Sequence, residues 1–460
     1  MKNMESLQKI FMHTRHLLMI RPVMKKTRTI ESYTTLLLLI TLIGVLVLSP
    51  AILSSINTYT LVRSSGMIVA NEAYAKSGSV EDIQAAVDAV VAAGGGTVYI
   101  PEGVFSFNAS GNRRVNINVP AVGLKIFGAG INQTVLQMPV DDSAPDTIMF
   151  NVNGLSGGKI RISGITFKGR PNIDTSPTGD VGIKMAGCQD FRVDNCSFYY
   201  IGGQGVRVDD SLIQDGISGG DLSKVSQGVI DHCYFYDIYK PASHQAWRGF
   251  GYGVFVGRSW DYRWTIPNLY PDDPWTMFGQ YYRNTYIENC CFEGCRHAVV
   301  GNWAGAYVLR YSTIKNHRFK ETATTGHPVR QGVLGMLTCE IYNVTVINEG
   351  KYISTFWGFQ VEGGSGLFYN NTISDLQNWF VISCCEYKNT DTFYHTGRTK
   401  EVYIWNNSIS NCGDPWILDQ SPTGCPPPVE NEDYFFYAPS MDKNYIAYTY
   451  PHPLTLEESP

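Results

Sequence analysis

Imidazole and guanidinium side chains gather in one part of the sequence. Arg296 and His297 directly precede a short apolar run with the composition of a strand, so both should lie at a strand edge. The loop 317–330 comes next and ends with His327 and Arg330. An imidazole can accept a proton near neutral pH, and a guanidinium binds anionic groups. The pattern predicts a site for an anionic sugar, with His297 or His327 as base, Arg296 neutralising charge and Arg330 contacting the ligand. The alternative is a turn histidine beside a charged surface loop.

A second candidate is the aromatic-rich stretch 239–284, which we interpret as a long insertion. It contains four of the nine Trp residues, and long loops are often functional. Flat aromatic rings can contact sugar rings, and arginines can bind anionic groups. The substrate-binding residues predicted here are Trp247, Arg248, Trp260, Arg263, Trp264 and Trp275. The alternative is a loop that packs its aromatic residues against one another.

The acidic stretch 207–223 is the candidate metal site by residue type. It includes Asp209, Asp210, Asp215 and Asp221 but lacks the ligand spacing of a calcium loop. We therefore expect a solvated loop and predict no metal ligands. Ca²⁺ stays open as a cofactor for which the sequence has no motif.

Composition excludes two broad classes of protein. Of the 460 residues, 44% are hydrophobic and 17% are charged, so the chain can bury a sizeable core and is not disordered. Its formal net charge of −5 gives no indication of nucleic-acid binding. The 45 Gly residues and the aromatic content of 13% favour β-structure.

One apolar segment has the length of a membrane span. Residues 36–56 carry no charge, and about 20 apolar residues cross a bilayer. Basic residues are frequent in 1–35 and rare just after the apolar segment, so we expect a single-pass anchor, a cytoplasmic N-terminus and an extracytoplasmic body. The alternative is a signal peptide cleaved near residues 73–75, which would leave a secreted protein.

The body begins with a helix signal and continues as an irregular repeat. Ser79 can cap a helix over 80–93, and the Gly run 94–96 ends it before a strand at 97–100. A unit of an apolar residue, any residue, Asn, two residues and then Phe, Ile or Val recurs eight times, at intervals of 22 to 57 residues. Constant short strands with variable connections are typical of a solenoid.

Two columns of this repeat carry structural predictions. The Asn column needs left-handed backbone geometry and should form buried amide hydrogen bonds between coils, so we do not expect glycans there. His232 and Tyr311 take the Asn position in two units. The Asn residues are Asn195, Asn289, Asn343, Asn370 and Asn406, and the cysteines Cys196, Cys233 and Cys290 should stack next to them as small buried residues.

The stretch 79–107, SVEDIQAAVDAVVAAGGGTVYIPEGVFSF, resembles the opening of the pectate-lyase-like right-handed parallel β-helix superfamily. Phage tailspikes share this opening, and the stretches 295–314 and 445–454 resemble further β-helix proteins. The resemblance covers about residues 77–454. It implies an all-β, right-handed parallel β-helix with an N-terminal capping helix. It leaves the activity open, because this fold hosts lyases, hydrolases, epimerases and adhesins.

The resemblance also narrows the enzyme hypotheses. Polygalacturonase-like glycosidases carry Asn-Thr-Asp, an Asp pair, Gly-His-Gly and Arg-Ile-Lys, in that order. Here Asn389-Thr390-Asp391 comes after the pair Asp209-Asp210, and the last two motifs are absent, so this hydrolysis is not expected. The favoured hypothesis is a polysaccharide-binding or polysaccharide-processing protein, with a lyase acting on an acidic glycan as the enzyme. The alternatives are a non-catalytic surface-layer or adhesion protein and a trimeric tailspike-like fibre.

These observations predict five segments. Residues 1–35 form a basic cytoplasmic tail, 36–56 a transmembrane helix and 57–76 a linker. Residues 77–425 form the β-helix, and the Pro- and Tyr-rich tail 426–460 runs back along it.

Overall fold

The computed structural model describes fourteen stretches of the chain. They are residues 71–107, 114–138, 147–154, 156–170, 179–209, 225–239, 251–257, 273–282, 284–317, 321–327, 335–352, 356–383, 399–418 and 427–457. All of them belong to one compact unit. Within these stretches no helix is long and apolar enough to span a membrane, and the predicted span 36–56 lies outside them.

Thirty-two short strands form three parallel sheets in the described residues. Each coil of the chain contributes one strand to sheet 1, then one to sheet 2, then one to sheet 3. Each strand pairs in parallel with its counterparts in the previous and next coils, for example Phe198 with Phe235 and Phe235 with Phe292. Repeated in-register pairing of this kind defines a parallel β-helix, as the sequence predicted.

The strands, numbered in chain order, are divided among the three sheets. Sheet 1 contains β1 (Glu72–Tyr74), β2 (Gly96–Ile100), β5 (Leu124–Gly128), β8 (Ile160–Ser163), β11 (Phe191–Asp194), β14 (Gly228–Asp231), β17 (Thr285–Glu288), β20 (Ala306–Arg310), β23 (Thr338–Tyr342), β26 (Gly364–Tyr369), β29 (Thr399–Trp405) and β32 (Tyr434–Phe435). Sheet 2 contains β3 (Gly103–Ser106), β6 (Thr134–Gln137), β9 (Thr166–Lys168), β12 (Ser197–Tyr199), β15 (Tyr234–Tyr236), β18 (Cys291–Glu293), β21 (Thr313–Lys315), β24 (Thr345–Ile347), β27 (Thr372–Ser374) and β30 (Ser408–Ser410). Sheet 3 contains β4 (Val115–Asn118), β7 (Ile148–Asn153), β10 (Val181–Ala186), β13 (Gln204–Asp209), β16 (Tyr252–Val256), β19 (His297–Gly301), β22 (Thr322–Gly326), β25 (Trp357–Val361), β28 (Asn378–Ser383) and β31 (Trp416–Leu418).

A single α-helix in the described residues, α1 (Val80–Ala92), covers the first coil. The Ser79 side chain accepts a hydrogen bond from the Asp82 N–H, which confirms the predicted cap. The helix buries one apolar face, made of Val80, Ile83, Ala86, Val87 and Val90. The N-terminal end of the core is therefore closed to solvent.

The turn from sheet 1 to sheet 2 is the constant part of each coil. Asn195, Asn289, Asn343, Asn370 and Asn406 all have φ between 47° and 55°, as do His232 and Tyr311 at 51° and 49°. This confirms the predicted left-handed geometry, which Asn adopts more readily than other non-Gly residues.

The predicted burial of this Asn column is wrong. Asn195, Asn370 and Asn406 are exposed, so burial does not exclude glycans there. The amide ladder lies one residue later in two coils, where Asn371 Nδ2 donates to Asn407 Oδ1 at 2.9 Å and to the Ile341 carbonyl at 3.0 Å. The amide stack needs a buried position facing the interior, and the left-handed turn residue points outward.

Apolar side chains stack in register inside the coils. Phe167, Phe198, Phe235 and Phe292 form a stack with ring centroids 4.7–5.2 Å apart. Cys196, Cys233 and Cys290 are buried and unpaired, as predicted for small core residues. The stacks bind each coil to the next through apolar burial.

The outer face of sheet 1 is covered by two segments, 273–282 and 435–457. Tyr445 donates a hydrogen bond to Glu340 Oε2 at 2.6 Å, and Arg310 donates to the carbonyls of Tyr448 and Thr449. Glu457 pairs with Lys159, which places the far end of the second segment beside an early coil. The tail therefore runs back along the solenoid. The sheet itself extends past the predicted limits 77–425, from β1 to β32.

Variation in connection length is concentrated next to sheet 3. Residues 210–227, 257–284 and 384–398 connect sheet 3 to sheet 1, and 237–251 connects sheet 2 to sheet 3. Sheets 1 and 2 are joined by two-residue turns except between β5 and β6, where the connection is 129–133. Two predicted loops also contain strands of this sheet: β16 lies within 239–284, and β22 lies within 317–330. The outer face of sheet 3 is thus flanked by the connections in which the chain varies most.

Candidate functional site

The outer face of sheet 3 carries polar, charged and aromatic side chains in register across successive coils. Alternate residues of a strand point to opposite faces, so the core-facing Val and Ile residues are interleaved with these outward positions. One row crosses the sheet from Asn116 through Asn151, Lys184, Arg207, Phe255, Val300, Thr325 and Gln360 to Val381 and Trp416. This row forms the sheet surface on which the candidate site lies.

His297 begins β19 and lies almost completely buried. Its Nδ1 is 2.7 Å from the Thr322 carbonyl oxygen, so Nδ1 carries the proton and donates it. Burial lowers the pKa of His297 well below 6.5, and the charge of Arg296 and the neighbouring His327 lower it further. His297 is therefore a neutral imidazole at neutral pH.

His327 comes directly after the last residue of β22 and is partly exposed. Its Nδ1 lies 3.2 Å from Glu362 Oε2. Gln360 donates to the other oxygen of Glu362 at 3.1 Å, and its carbonyl oxygen accepts a hydrogen bond from Thr322. A carboxylate on Nδ1 fixes the ring orientation and leaves Nε2 as the proton acceptor.

The two imidazoles share their surroundings with a tyrosine. The Tyr252 ring centroid is 5.6 Å from that of His297 and 6.4 Å from that of His327, and the two imidazole centroids are 6.4 Å apart. Arg296 donates to Glu321 Oε1 at 3.3 Å, and Glu321 Oε2 is 3.9 Å from His297 Nε2. Bases, a phenol, carboxylates and a guanidinium thus converge on one face of the solenoid.

A cationic cluster lies on the same face toward the N-terminal coils. Lys184 and Arg207 are neighbours in β10 and β13, and both pair with the Asp209 carboxylate. Burial lowers the pKa of Lys184, and the charges of Arg207 and Arg114 act in the same direction, against Asp209. Asp209 is a buried strand residue, so for this position the predicted solvated loop is wrong; Asp210, Asp215 and Asp221 lie outside the described residues.

Aromatic side chains link this cluster to the histidines. The Arg207 guanidinium lies over the rings of Phe255 and Trp303, at 5.8 and 5.3 Å from their centroids. β16 separates β13 from β19, which places Arg207 about 10 Å from the histidine coil along the solenoid axis. The face therefore combines a proton acceptor with cations that lie several coils away on the same sheet, an arrangement suited to an extended anionic chain.

Of the predicted site residues, Arg296, His297 and His327 come together on sheet 3, and Trp275 does not join them. Trp275 lies in the segment that covers sheet 1, where its indole N–H donates to Glu401 and its ring packs against Phe278 and Tyr403. The remaining predicted residues, Trp247, Arg248, Trp260, Arg263, Trp264 and Arg330, lie outside the described residues.

Sequence reasoning missed Glu362, Gln360, Arg207 and Lys184. Three of these residues could have been found from their spacing. Arg207 with Asp209, and Gln360 with Glu362, are spaced i, i+2, which puts both members of each pair on one face of a strand. Among the residues that the structure describes, no three His, Cys, Asp or Glu side chains are grouped so that they could hold a metal ion.

Comparison with known proteins gives short sequence matches and distant structural ones. No family model matches the chain. Two mannuronan C5-epimerases of Azotobacter vinelandii, AlgE4 and AlgE6, are 43% and 45% identical over 56 and 62 residues. These matches span 12% and 14% of this chain but only 10% and 7% of the epimerases.

Solved structures with a similar course of the chain include an alginate lyase from Paenibacillus sp. str. FPU-7 and the tailspike protein of E. coli bacteriophage HK620 in complex with a pentasaccharide. The lyase is 16% identical with a TM-score of 0.43, covering 75% of this chain and 98% of the lyase. The tailspike is 12% identical with a TM-score of 0.47, covering 74% of this chain and 56% of the tailspike. The three parallel sheets themselves give this chain a parallel β-helix fold.

Proposed function

We propose that the outer face of sheet 3 binds an acidic polysaccharide and removes a proton from it, as a lyase does. The observation that carries the proposal is the His327–Glu362 pair, a partly exposed imidazole oriented by a carboxylate, beside His297 and Arg296. Convergence of these groups on one face is what an enzyme needs, and a binding protein has no use for an oriented base.

In the proposed reaction, His327 Nε2 takes the proton from the sugar carbon next to the carboxylate group. The electron pair of that C–H bond forms a carbon–carbon double bond, the neighbouring glycosidic C–O bond breaks, and the leaving oxygen takes up a proton. Glu362 stabilises the imidazolium formed on His327. His297 stays neutral and, through its hydrogen bond to the Thr322 carbonyl, holds the strand that precedes His327.

Abstraction beside a carboxylate requires that its negative charge be offset, and Arg296 is the candidate in the same coil as His297. It is partly exposed and pairs with Glu321, so the substrate carboxylate would compete with Glu321 for the guanidinium. Lys184 and Arg207 would bind further anionic groups of the same chain.

C5-epimerisation is a second candidate, because the short matches to mannuronan C5-epimerases favour it. It begins with the same proton abstraction, and a proton then returns to the opposite side of the same carbon. Tyr252, close to both imidazoles, is a candidate for returning that proton. The two reactions therefore share the first step and differ only in the later ones.

Non-catalytic binding is the alternative from a different class, either as a surface-layer or adhesion protein or as a tailspike-like fibre. In this case the aromatic stretch 239–284 and the cations of sheet 3 would hold a glycan without changing it. Anchoring through residues 36–56, with the solenoid outside the membrane, is part of the proposal in all three cases.

The test uses the full chain in detergent on an array of acidic and neutral glycans, with absorbance of unsaturated uronates and uptake of solvent deuterium measured on each bound glycan. A lyase produces the absorbance, and an epimerase incorporates deuterium without it. Either signal should disappear in His327→Ala and fall in Glu362→Gln. His232→Asn is the matched control, because it removes an exposed histidine away from sheet 3 and keeps a residue suited to the left-handed turn.

Two results would contradict the proposal. A signal unchanged in His327→Ala removes this residue as the base. Binding without either signal, abolished by Trp247→Ala or Trp264→Ala, supports the adhesin.

A further inference from the structure

The corner between sheets 1 and 2 carries the acceptor pattern for N-linked glycans, Asn-x-Ser or Asn-x-Thr, in several coils. Every turn between these two sheets lies within the described residues. Five such sequons occur there, and their Asn residues all have left-handed φ angles between 47° and 63°: Asn132, Asn195, Asn343, Asn370 and Asn406. The environments of the five differ, and the differences single out one of them.

Burial separates the two sequons in the earlier coils from those in the later ones. The third residue of a sequon supplies a hydroxyl group. In the sequon of Asn132 that residue is Thr134, which is buried and donates to the Pro101 carbonyl at 2.9 Å. In the sequon of Asn195 it is Ser197, which is 1% exposed. These two hydroxyl groups belong to the packed part of the coil.

The last two sequons are exposed at both ends. Asn370 and Asn406 are exposed, and so are their hydroxyl residues Thr372 and Ser408. Turns of neighbouring coils are about 4.8 Å apart, so Asn370 has an Asn-bearing turn on either side, at Asn343 and Asn406. Ser408 begins β30, the last strand of sheet 2 in the described residues. Asn406 therefore has the least crowded sequon of this row.

A cavity of about 430 Å³ lies next to this sequon. It is lined by Trp405, the residue before Asn406, and by residues of 438–446, among them Ile446, which is 79% exposed. Tyr369 stacks on Trp405 with ring centroids 4.4 Å apart and does not line the cavity, so the cavity lies against another part of the indole. Its volume is in the range of pockets that hold small ligands, about 300–1,000 Å³.

The lining of this cavity suits a sugar. The indole of Trp405 offers a flat apolar surface for the C–H face of a sugar ring. Ser440 and Asn444 add a hydroxyl and an amide that can bind sugar hydroxyl groups. Adjacent Cα atoms are about 3.8 Å apart, so a sugar attached to Asn406 starts beside the residue that lines the cavity.

We propose that Asn406 carries an N-linked glycan whose first sugars occupy the cavity beside Trp405. In this modification, Asn406 Nδ2 forms a bond to C1 of the first sugar of a lipid-linked oligosaccharide phosphate. The bond between C1 and the phosphate oxygen breaks, and the released lipid phosphate takes up the proton lost from the amide. The inference rests on the extracytoplasmic placement within the proposed function, because sequons are modified in secreted chains. It does not depend on the reaction at sheet 3.

The test is peptide mass spectrometry of the full chain, purified in detergent from the cells that naturally make it. The peptide that contains Asn406 should carry the mass of sugars in most copies. Ser408→Ala removes the sequon hydroxyl and should abolish this mass, whereas Ser408→Thr should keep it. Thr372→Ala makes the matching change in the sequon of Asn370 and should leave the glycan on Asn406 unchanged. An unmodified Asn406 in wild type overturns the proposal.

Hydrogen exchange tests where the attached glycan lies. Amides of 438–446 should exchange about threefold faster or more in Ser408→Ala than in Ser408→Thr, because the glycan fills the cavity only in the second variant. Equal exchange in the two variants would overturn the assignment of the cavity. Both variants change the same exposed side chain, so a difference between them is not a loss of packing at residue 408.

Protease digestion of intact cells separates this inference from the proposed function. A solenoid that is digested from outside but has an unmodified Asn406 overturns the glycan alone. A solenoid that is protected and unmodified contradicts the extracytoplasmic placement as well. A glycan on Asn406 of a chain without turnover supports this inference and contradicts the reaction at sheet 3.

Discussion

His327 and Glu362 occupy equivalent positions on neighbouring coils, with Nδ1 of the histidine 3.2 Å from Oε2 of the glutamate. The register pairs Gly326 of β22 with Val361 of β25, so the residue after each strand meets its counterpart. The strand pairing therefore fixes this contact between residues that are 35 positions apart in the sequence. The carboxylate thereby fixes the orientation of the imidazole ring.

Substitution of His327 should lower turnover more than substitution of Glu362. His327→Ala should reduce kcat by about 100- to 10,000-fold, the range for loss of a general base. Glu362→Gln keeps the shape and a hydrogen-bonding oxygen but loses the charge, so a smaller reduction is expected. Steady-state kinetics on the glycan identified by the array measures both. A Glu362→Gln variant with wild-type kcat would show that the pair only stabilises the fold.

Arg207 should contribute to binding of an acidic glycan without contributing to the chemical step. Its strand lies two strand spacings from that of His297 and three from the strand that precedes His327, so Arg207 would contact a different part of an extended chain. Arg207→Gln should raise KM about tenfold, because one hydrogen bond to a charged group is lost, and leave kcat unchanged. The dependence of binding on salt should also become weaker. A neutral glycan serves as the control, and an equal effect on its binding would contradict the assigned role.

Glu340 should make the stability of the protein depend on pH. Burial raises the pKa of Glu340 to about 7, although hydrogen bonds from Tyr445 and Gly279 and the charge of Arg310 act in the opposite direction. Because this pKa lies above the ordinary value of 4.5, the folded chain holds the proton more tightly than the unfolded chain does. The resulting stability is complete below about pH 4.5 and is lost as the pH rises to about 7, by up to about 3 kcal/mol.

Thermal unfolding of wild type and Glu340→Gln between pH 4.5 and pH 8 measures this effect. The wild type should lose stability across that interval, and Glu340→Gln should lose less, since its amide does not ionise. Glu102→Gln, a change at an exposed carboxylate, should behave like wild type. Identical curves for Glu340→Gln and wild type would mean that the carboxylate is not held in the buried position.

The left-handed turn at Asn370 should tolerate Gly and resist Ala. Asn370 is exposed with φ of 55°, so substitution changes its backbone preference more than its packing. Asn370→Ala should cost about 1 kcal/mol, whereas Asn370→Gly should be neutral or stabilising. Chemical denaturation compares them with Thr372→Ala, an exposed change in the next strand. Equal effects of Ala and Gly would exclude backbone strain as the cause.

Glu288 and Arg310 form a buried ion pair, and removing one partner alone should lower the free energy of unfolding. Arg310 also donates to the carbonyls of Tyr448 and Thr449, so it joins sheet 1 to the segment 435–457. Glu288→Ala leaves a buried charge without its partner and should cost about 3–5 kcal/mol. The double variant Glu288→Ala with Arg310→Met should recover part of this loss. Calorimetry on Glu288→Ala, Arg310→Met and the double variant gives the coupling free energy between the two side chains. If the two losses of stability simply add in the double variant, the residues act separately.

The sequence predicted the local features of the fold. The Ser79 cap, the helix after it and the left-handed Asn column depend on neighbouring residues only, so their sequence patterns predicted them correctly. The repeat predicted a solenoid, because short strands recur with variable connections, and the resemblance of 79–107 implied parallel strands. The burial assigned to the Asn column was wrong, because the same pattern fits an outward turn residue as well as an inward amide.

The sequence by itself thus determined the helix cap, the turns and the solenoid, since all three arise from short-range spacing. Only the tertiary structure decided which residues share the outer face of sheet 3. Intervals between coils vary from 22 to 57 residues, so the pairing of His327 with Glu362, or of Lys184 with Arg207, results from strand register and not from a constant separation in sequence. Contacts with Glu401 and Tyr403, distant in the sequence, likewise hold Trp275 over sheet 1, away from the histidines.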